Sequence, residues 1–169
     1  MNPAYQAFLE SKAVLANATG YGGLLSLNPN LKPHARDIAA WMIRGGNRAC
    51  FASFGLHKTS IQLQICESLL DANQGDSALV VCPLGVRREF KVEQKKRDFK
   101  IPPVYVSTNR EYENLRSDGH ELFLANYERV RDGALGKKFQ FACGEILKNR
   151  NLPQDCGTVG FGIRHRRLF

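Results

Sequence analysis

The sequence predicts an α/β fold, a parallel central sheet flanked by helices, and three observations carry that expectation. Short apolar runs such as SALVVCP and HELFLANY alternate with segments whose apolar residues recur at helical spacing, the order that builds parallel sheets through helical crossovers. Those apolar runs show little polar–apolar alternation, as strands covered on both faces require. The composition, 43% hydrophobic and 24% charged over 169 residues, belongs to a globular chain able to close one core of ordinary size.

In chain order, NPAYQAFLESKAVLANA places apolar residues at helical spacing and reads as a helix, and TGYGGLLSLNPNLKP, rich in Gly, Asn and Pro, reads as a loop. Together they make residues 1–30 an N-terminal helical extension. PHARDIAAWMIRGG is a helix with Pro33 in its first turn and Gly45-Gly46 at its end. RACFASF is a short strand, followed by a turn and the helix KTSIQLQICESLLDA. SALVVCP is a strand closed by Pro83, and LGVRREFKVEQKKRDF is a charged helix. PVYVS and HELFLANY are strands, with the short helix NREYENLR between them, and KKFQFACGEIL is a further strand. From 149 to 169 the pattern weakens into a basic C-terminal segment with one strand candidate, TVGFGI.

Charge and cysteine content narrow the function classes. The net charge of +8 and pI of 9.4 point to an acidic partner. The five cysteines, Cys50, Cys66, Cys82, Cys143 and Cys156, form no CxxC pair, which suits reduced thiols and not a zinc site, and implies a cytoplasmic protein. No apolar run approaches the ~18–20 residues that span a bilayer, and the N-terminus lacks the pattern of a secretory signal.

One stretch carries candidate chemistry. FASFGLHKTSIQL, Phe51 to Leu63, runs from strand through turn into helix. Phosphate-binding loops of this kind wrap phosphate in backbone N–H groups, reach its charge with a lysine and hold magnesium with the following Ser or Thr. Ala52 opens the pattern, Gly55 lies inside it, and Lys58 and Thr59 end it, but His57 stands where glycine would precede the lysine. A Cβ there intrudes where backbone must approach phosphate, at a position whose φ favours glycine. By itself the stretch fits a nucleotide loop and, equally, a plain strand–turn–helix with a lysine at the helix start.

The blocks LKPHARDIAAWMI, ACFASFGLHKT, LVVCPLGVRREF and LFLANYERV, in this order and spacing, resemble the first lobe of Swi/Snf-type helicases of the DEAD/DEAH-box superfamily, in their bacterial and phage forms, over Leu31 to Leu135. The resemblance implies a single RecA-like lobe over 31–148. It also implies that Pro83 to Phe90 and Asn126-Tyr127-Glu128 line a nucleic-acid track and its support. In that family a glutamine that recognises adenine stands where this chain has Ala35, and His34 caps or packs. The family's acidic pair maps loosely onto KFQFACGE, where Glu145 stands for the water-positioning glutamate and Gly144 replaces the magnesium aspartate.

The reading that follows is a catalytically inactive, helicase-like binding protein, carried on a phage or other mobile element, with a vestigial phosphate loop (Gly55, His57, Lys58, Thr59) and a vestigial Glu145. It binds no cofactor and acts by occupying a protein or nucleic-acid surface in a bacterial host cell; a counter-defence inhibitor such as an anti-CRISPR protein is one concrete version. The alternative is the first lobe of an ATP-dependent DNA helicase or translocase, using ATP and Mg and completed by a separate second lobe. No second lobe is recognisable, so the face at the carboxyl ends of the strands, including Asn126, Tyr127, Glu128 and Arg129, is expected to bind a host protein or a second copy. The C-terminal stretch with Phe161, Ile163, Leu168 and Phe169 is the other candidate cover. Arg87, Lys91 and Lys95, widened by Arg88, Lys96 and Lys100, share a basic helix face suited to weak, sequence-tolerant nucleic-acid contact or simply to solvation. No metal site is expected: His57 has no second ligand near it in the sequence.

Overall fold

The computed structural model describes residues 18–46 and 48–134 and the backbone of the strand Gly160–Arg164. Helix α1 spans Pro33–Gly45 and α2 Lys58–Asp71. Strand β1 (Ser77–Cys82) leads through a 3-10 turn, Leu84–Val86, into α3 (Arg87–Arg97). Strand β2 (Val104–Tyr105), helix α4 (Asn109–Ser117), strand β3 (Leu122–Asn126), helix α5 (Tyr127–Arg131) and strand β4 (Gly160–Arg164) follow. The sheet order is β2-β3-β1-β4. β1 and β2 both pair with β3 in parallel, with Val80 opposite Leu124 and Tyr105 also opposite Leu124. The α/β expectation therefore holds, with a parallel three-stranded sheet flanked by helices.

Packing explains why these segments read as they do. Along β1 and β3 the side chains alternate between two layers, yet both layers are apolar. Ala78, Val80, Cys82, Leu122 and Leu124 face Leu63, Cys66, Leu70 and Phe90 of α2 and α3. Leu79, Val81, Phe123 and Ala125 face Tyr112 of α4 and Val130 of α5. The Tyr112 ring meets Phe123 edge-on at 4.7 Å, and its hydroxyl lies 3.0 Å from Ser77 Oγ, which keeps the buried phenol satisfied.

Helix α2 is covered on both sides. Its Ile61 and Ile65 pack on Ala35, Ala39, Met42 and Ile43 of α1, and its opposite side packs on the sheet. A helix enclosed in this way carries buried polar residues only where they find partners. Fully buried Gln64 accepts from Asn28 N at 2.7 Å and donates to Ser68 Oγ at 2.7 Å and Ser26 O at 3.1 Å. Glu67 accepts from the backbone N–H groups of Lys100 and Ile101. Burial raises its carboxyl pKa against the pull of those bonds.

Three expectations need correction. Residues 48–53 form no strand: Phe51 is exposed and Cys50 half-buried. Both edges of the central strand β1 are already taken, by β3 and by β4. The sheet is not wholly parallel, because β4 runs antiparallel to β1 with Phe161 opposite Val80. PVYVS contributes only Val104–Tyr105 as strand, although Val106 N still donates to Leu124 O at 2.9 Å. The expected helix in the N-terminal extension, the strand KKFQFACGEIL with Gly144 and Glu145, and the tail residues Leu168 and Phe169 lie outside the described residues. Among the described residues no helix is long and apolar enough to cross a membrane.

Candidate functional site

The loop from Phe51 to His57 enters α2 through two left-handed residues. Gly55 has φ 78°, with open space where a Cβ would stand. His57, the N-cap of α2, has φ 55° and ψ 33° and makes no side-chain capping bond. The backbone thus takes the conformation for which glycine is the natural residue, but a histidine holds it. The imidazole lies 5.6 Å from that of His34, between centroids. Its pKa is lowered, first by burial and next by the Arg97 guanidinium; Glu93 opposes the shift, while His34 and Lys32 add to it. The shift favours the neutral imidazole, beside the positive end of the α2 dipole.

Lys58 is turned onto its own loop. Its ammonium donates to Ala52 O at 2.8 Å and Ser53 O at 3.3 Å, and lies 5.1 Å from the centroid of the Phe54 ring. Two of its three donors are thereby committed to the loop. Thr59 is half-buried in the first turn of α2. The next residue, buried Ser60, donates to Glu93 Oε1 at 2.6 Å, and Arg97 Nε donates to the same oxygen at 2.9 Å. Burial pushes the Glu93 carboxyl up, but these two bonds outweigh it and hold the pKa below its ordinary value.

Ala35 lies wholly inside the α1–α2 contact, 0% exposed, so no adenine-reading side chain can project from this position. ATP with magnesium, the ligand pair implied by the helicase resemblance, does not fit these residues. Ala35, where the resemblance would put an adenine-reading glutamine, is core; His57, where it would put a glycine, carries an imidazole; and the Lys58 charge is engaged by loop carbonyls. Among the described residues no three His, Cys, Asp or Glu side chains converge on a metal position.

No protein-family model, curated protein or solved structure matches the chain.

At the carboxyl ends of the parallel strands the structure joins residues that are far apart in the sequence. The Arg87 guanidinium sits 5.2 Å from the centroid of the Tyr105 ring, and the Tyr105 hydroxyl donates to Asn126 Oδ1 at 3.3 Å. Asn126 is buried, Tyr127 is half-buried against the α4–α5 layer, and Glu128 and Arg129 are exposed. Burial, then the neighbouring Cys82, raises the Tyr127 pKa. Burial also raises the thiols of Cys66 and Cys82, to about 12 and about 11, so neither is a reactive thiolate. Sequence reasoning missed Tyr105; its signal was a polar aromatic at the end of a strand that follows Pro102-Pro103.

The basic residues of α3 separate into two groups. Arg97 is drawn inward by Glu93, and Lys100, beyond the helix end, pairs with Asp71 at 3.2 Å. Arg88, Lys91, Lys95 and Lys96 are exposed, and among the described residues Arg88, Lys91 and Lys95 form no salt bridge. Phe90 is buried, whereas Val92, two residues on, is 56% exposed. Residues two apart cannot share a helix face, so Val92 belongs with the cations. Its position was legible in the sequence but was not used.

Proposed function

We propose that this chain is a non-catalytic binding module built on a RecA-like helicase lobe whose nucleotide loop no longer serves nucleotide. The observation that carries the reading is the loop closed on itself, with Lys58 bonded to Ala52 and Ser53 while His57 occupies the left-handed glycine position. Phosphoryl transfer depends on positioning and charge stabilisation at the phosphates, and this loop directs its cation at its own carbonyls. Burial of Ala35 supports the same reading from the adenine side. The order of loop, helix, strand and basic helix supports the helicase-lobe ancestry. Function then rests on surface contact, for which the exposed basic face of α3 is the strongest feature. The test is calorimetry of the full chain with ATP and magnesium. No heat of binding is expected, and micromolar affinity would overturn the reading.

A further inference from the structure

The exposed side of α3 is more than a charged surface. Arg88, Lys91 and Lys95 stand at i, i+3 and i+7 on the side opposite buried Phe90. Apolar side chains share that neighbourhood: Val92 is 56% exposed within the helix, and Leu84 is 49% exposed in the turn leading into it. The flank carries Glu89 as its exposed carboxylate, so cations dominate.

We infer that this face docks an acidic protein segment that also presents apolar side chains, such as an amphipathic acidic helix. The inference rests on reading the chain as a non-catalytic binding module and names the partner of that surface. Charge complementarity demands an anionic partner, and a second copy of this chain, at net charge +8, does not provide one readily. Nucleic acid satisfies the cations but not the rest of the face. Phosphate contacts make no use of exposed aliphatic groups, and sequence-tolerant strand binding stacks bases on open aromatic rings. The aromatics of α3 and β2 are not open, Phe90 being 2% exposed and Tyr105 half-buried with Arg87 lying over its ring; open rings such as Phe51 and Phe54 belong to the loop before α2. Protein partners bury apolar side chains within a charged rim, and Leu84 and Val92 are exposed apolar side chains on the same turn and helix as these cations.

Fluorescence anisotropy near physiological ionic strength, using the full chain, separates these cases. The probes are a labelled peptide of alternating glutamate and leucine segments written as an amphipathic helix, a glutamate-only peptide of equal charge, and a single-stranded DNA of similar length. The amphipathic peptide is expected to bind about tenfold more tightly than the glutamate-only peptide. Val92→Ser, and separately Leu84→Ser, should each remove most of that advantage while leaving the far-UV circular dichroism and the DNA signal unchanged. Lys91→Glu with Lys95→Glu should weaken the peptide complex about 100-fold. DNA binding more tightly than the amphipathic peptide would overturn the inference in favour of nucleic acid. Equal affinity for the two peptides, or insensitivity to both serine variants, would also overturn it. ATP binding in calorimetry defeats the non-catalytic reading separately, whatever these probes show.

Discussion

Replacing His57 with glycine tests the loop most directly. His57 sits at φ 55° and ψ 33°, a region that costs a residue with a Cβ about 1–2 kcal/mol. Glycine removes that cost, while its greater freedom in the unfolded chain returns about 0.4–1 kcal/mol of it. The ring contact with His34 is tilted by 32° at 5.6 Å, and His34 is exposed, so its loss costs no more than about 0.5 kcal/mol. No capping bond is lost, because the His57 side chain makes none. The balance for His57→Gly runs from a loss of about 0.5 to a gain of about 1.6 kcal/mol, centred on a gain of roughly 0.5 kcal/mol. His57→Ala keeps the Cβ and loses the ring contact, so it should fall below wild type. The Gly–Ala difference, about 1 kcal/mol, corresponds to roughly 2–4 °C in the melting temperature. Urea denaturation of the three proteins at pH 8, where His57 is neutral, reads this difference directly. Alanine as stable as glycine would refute the left-handed assignment. The same glycine variant should still show no heat with ATP and magnesium, because Ala35 remains core and Lys58 remains on its loop; robust binding would show that the histidine alone blocks the site.

The remaining predictions concern pH and the buried polar network. The folded-state pKa of His57 lies below its ordinary value of 6.5, so its contribution is full above about pH 6.5 and is lost as pH falls through the lowered value. The stability of wild type relative to His57→Gly should therefore drop between pH 7 and pH 5, and a pH-independent difference would sink the assignment. The Glu93 pKa is also depressed; its stabilisation is present above about pH 4.5 and lost as pH falls through the folded value. Ser60→Ala removes a buried hydrogen bond to that carboxylate and should cost about 1.5–3 kcal/mol at pH 7 and less in acid, as thermal melts at both pH values would read. Gln64→Ala leaves Asn28 N without its acceptor and opens a cavity beside Ser26 and Ser68, at a cost of about 2–4 kcal/mol. Hydrogen exchange should show the Asn28 amide losing protection while the β1 amides keep theirs; retained protection at Asn28 would remove Gln64 as the anchor of this segment.

The sequence by itself determined α1 to α4 and the two central strands, because local chemistry governs them; it ran the strand HELFLANY through Tyr127, where the structure starts the short helix α5. Pro33 begins α1, where its missing N–H costs nothing, and Gly46 ends it at φ 74°. Thr108 caps α4 by accepting from Glu111 N. The uniformly apolar runs of β1 and β3 announced strands covered on both faces. The sequence also singled out His57 as the residue at odds with its loop, because a missing glycine is visible without coordinates.

Tertiary structure alone decided which apolar run joined the sheet and what each charged residue faced. RACFASF has strand-like composition but lies outside the sheet, whereas Gly160–Arg164 pairs with β1 from much further along the chain. Ala35 as core, Lys58 turned onto Ala52 and Ser53, and Arg87 over Tyr105 are contacts between separate segments or folded-back side chains. The same holds for the basic helix, where spacing grouped the lysines and arginines. Packing decided that Arg97 turns inward to Glu93 while Arg88, Lys91 and Lys95 stay in solvent beside Val92. Composition sets how much charge a chain carries, but burial, which depends on every neighbouring element at once, sets which charges remain available to a partner.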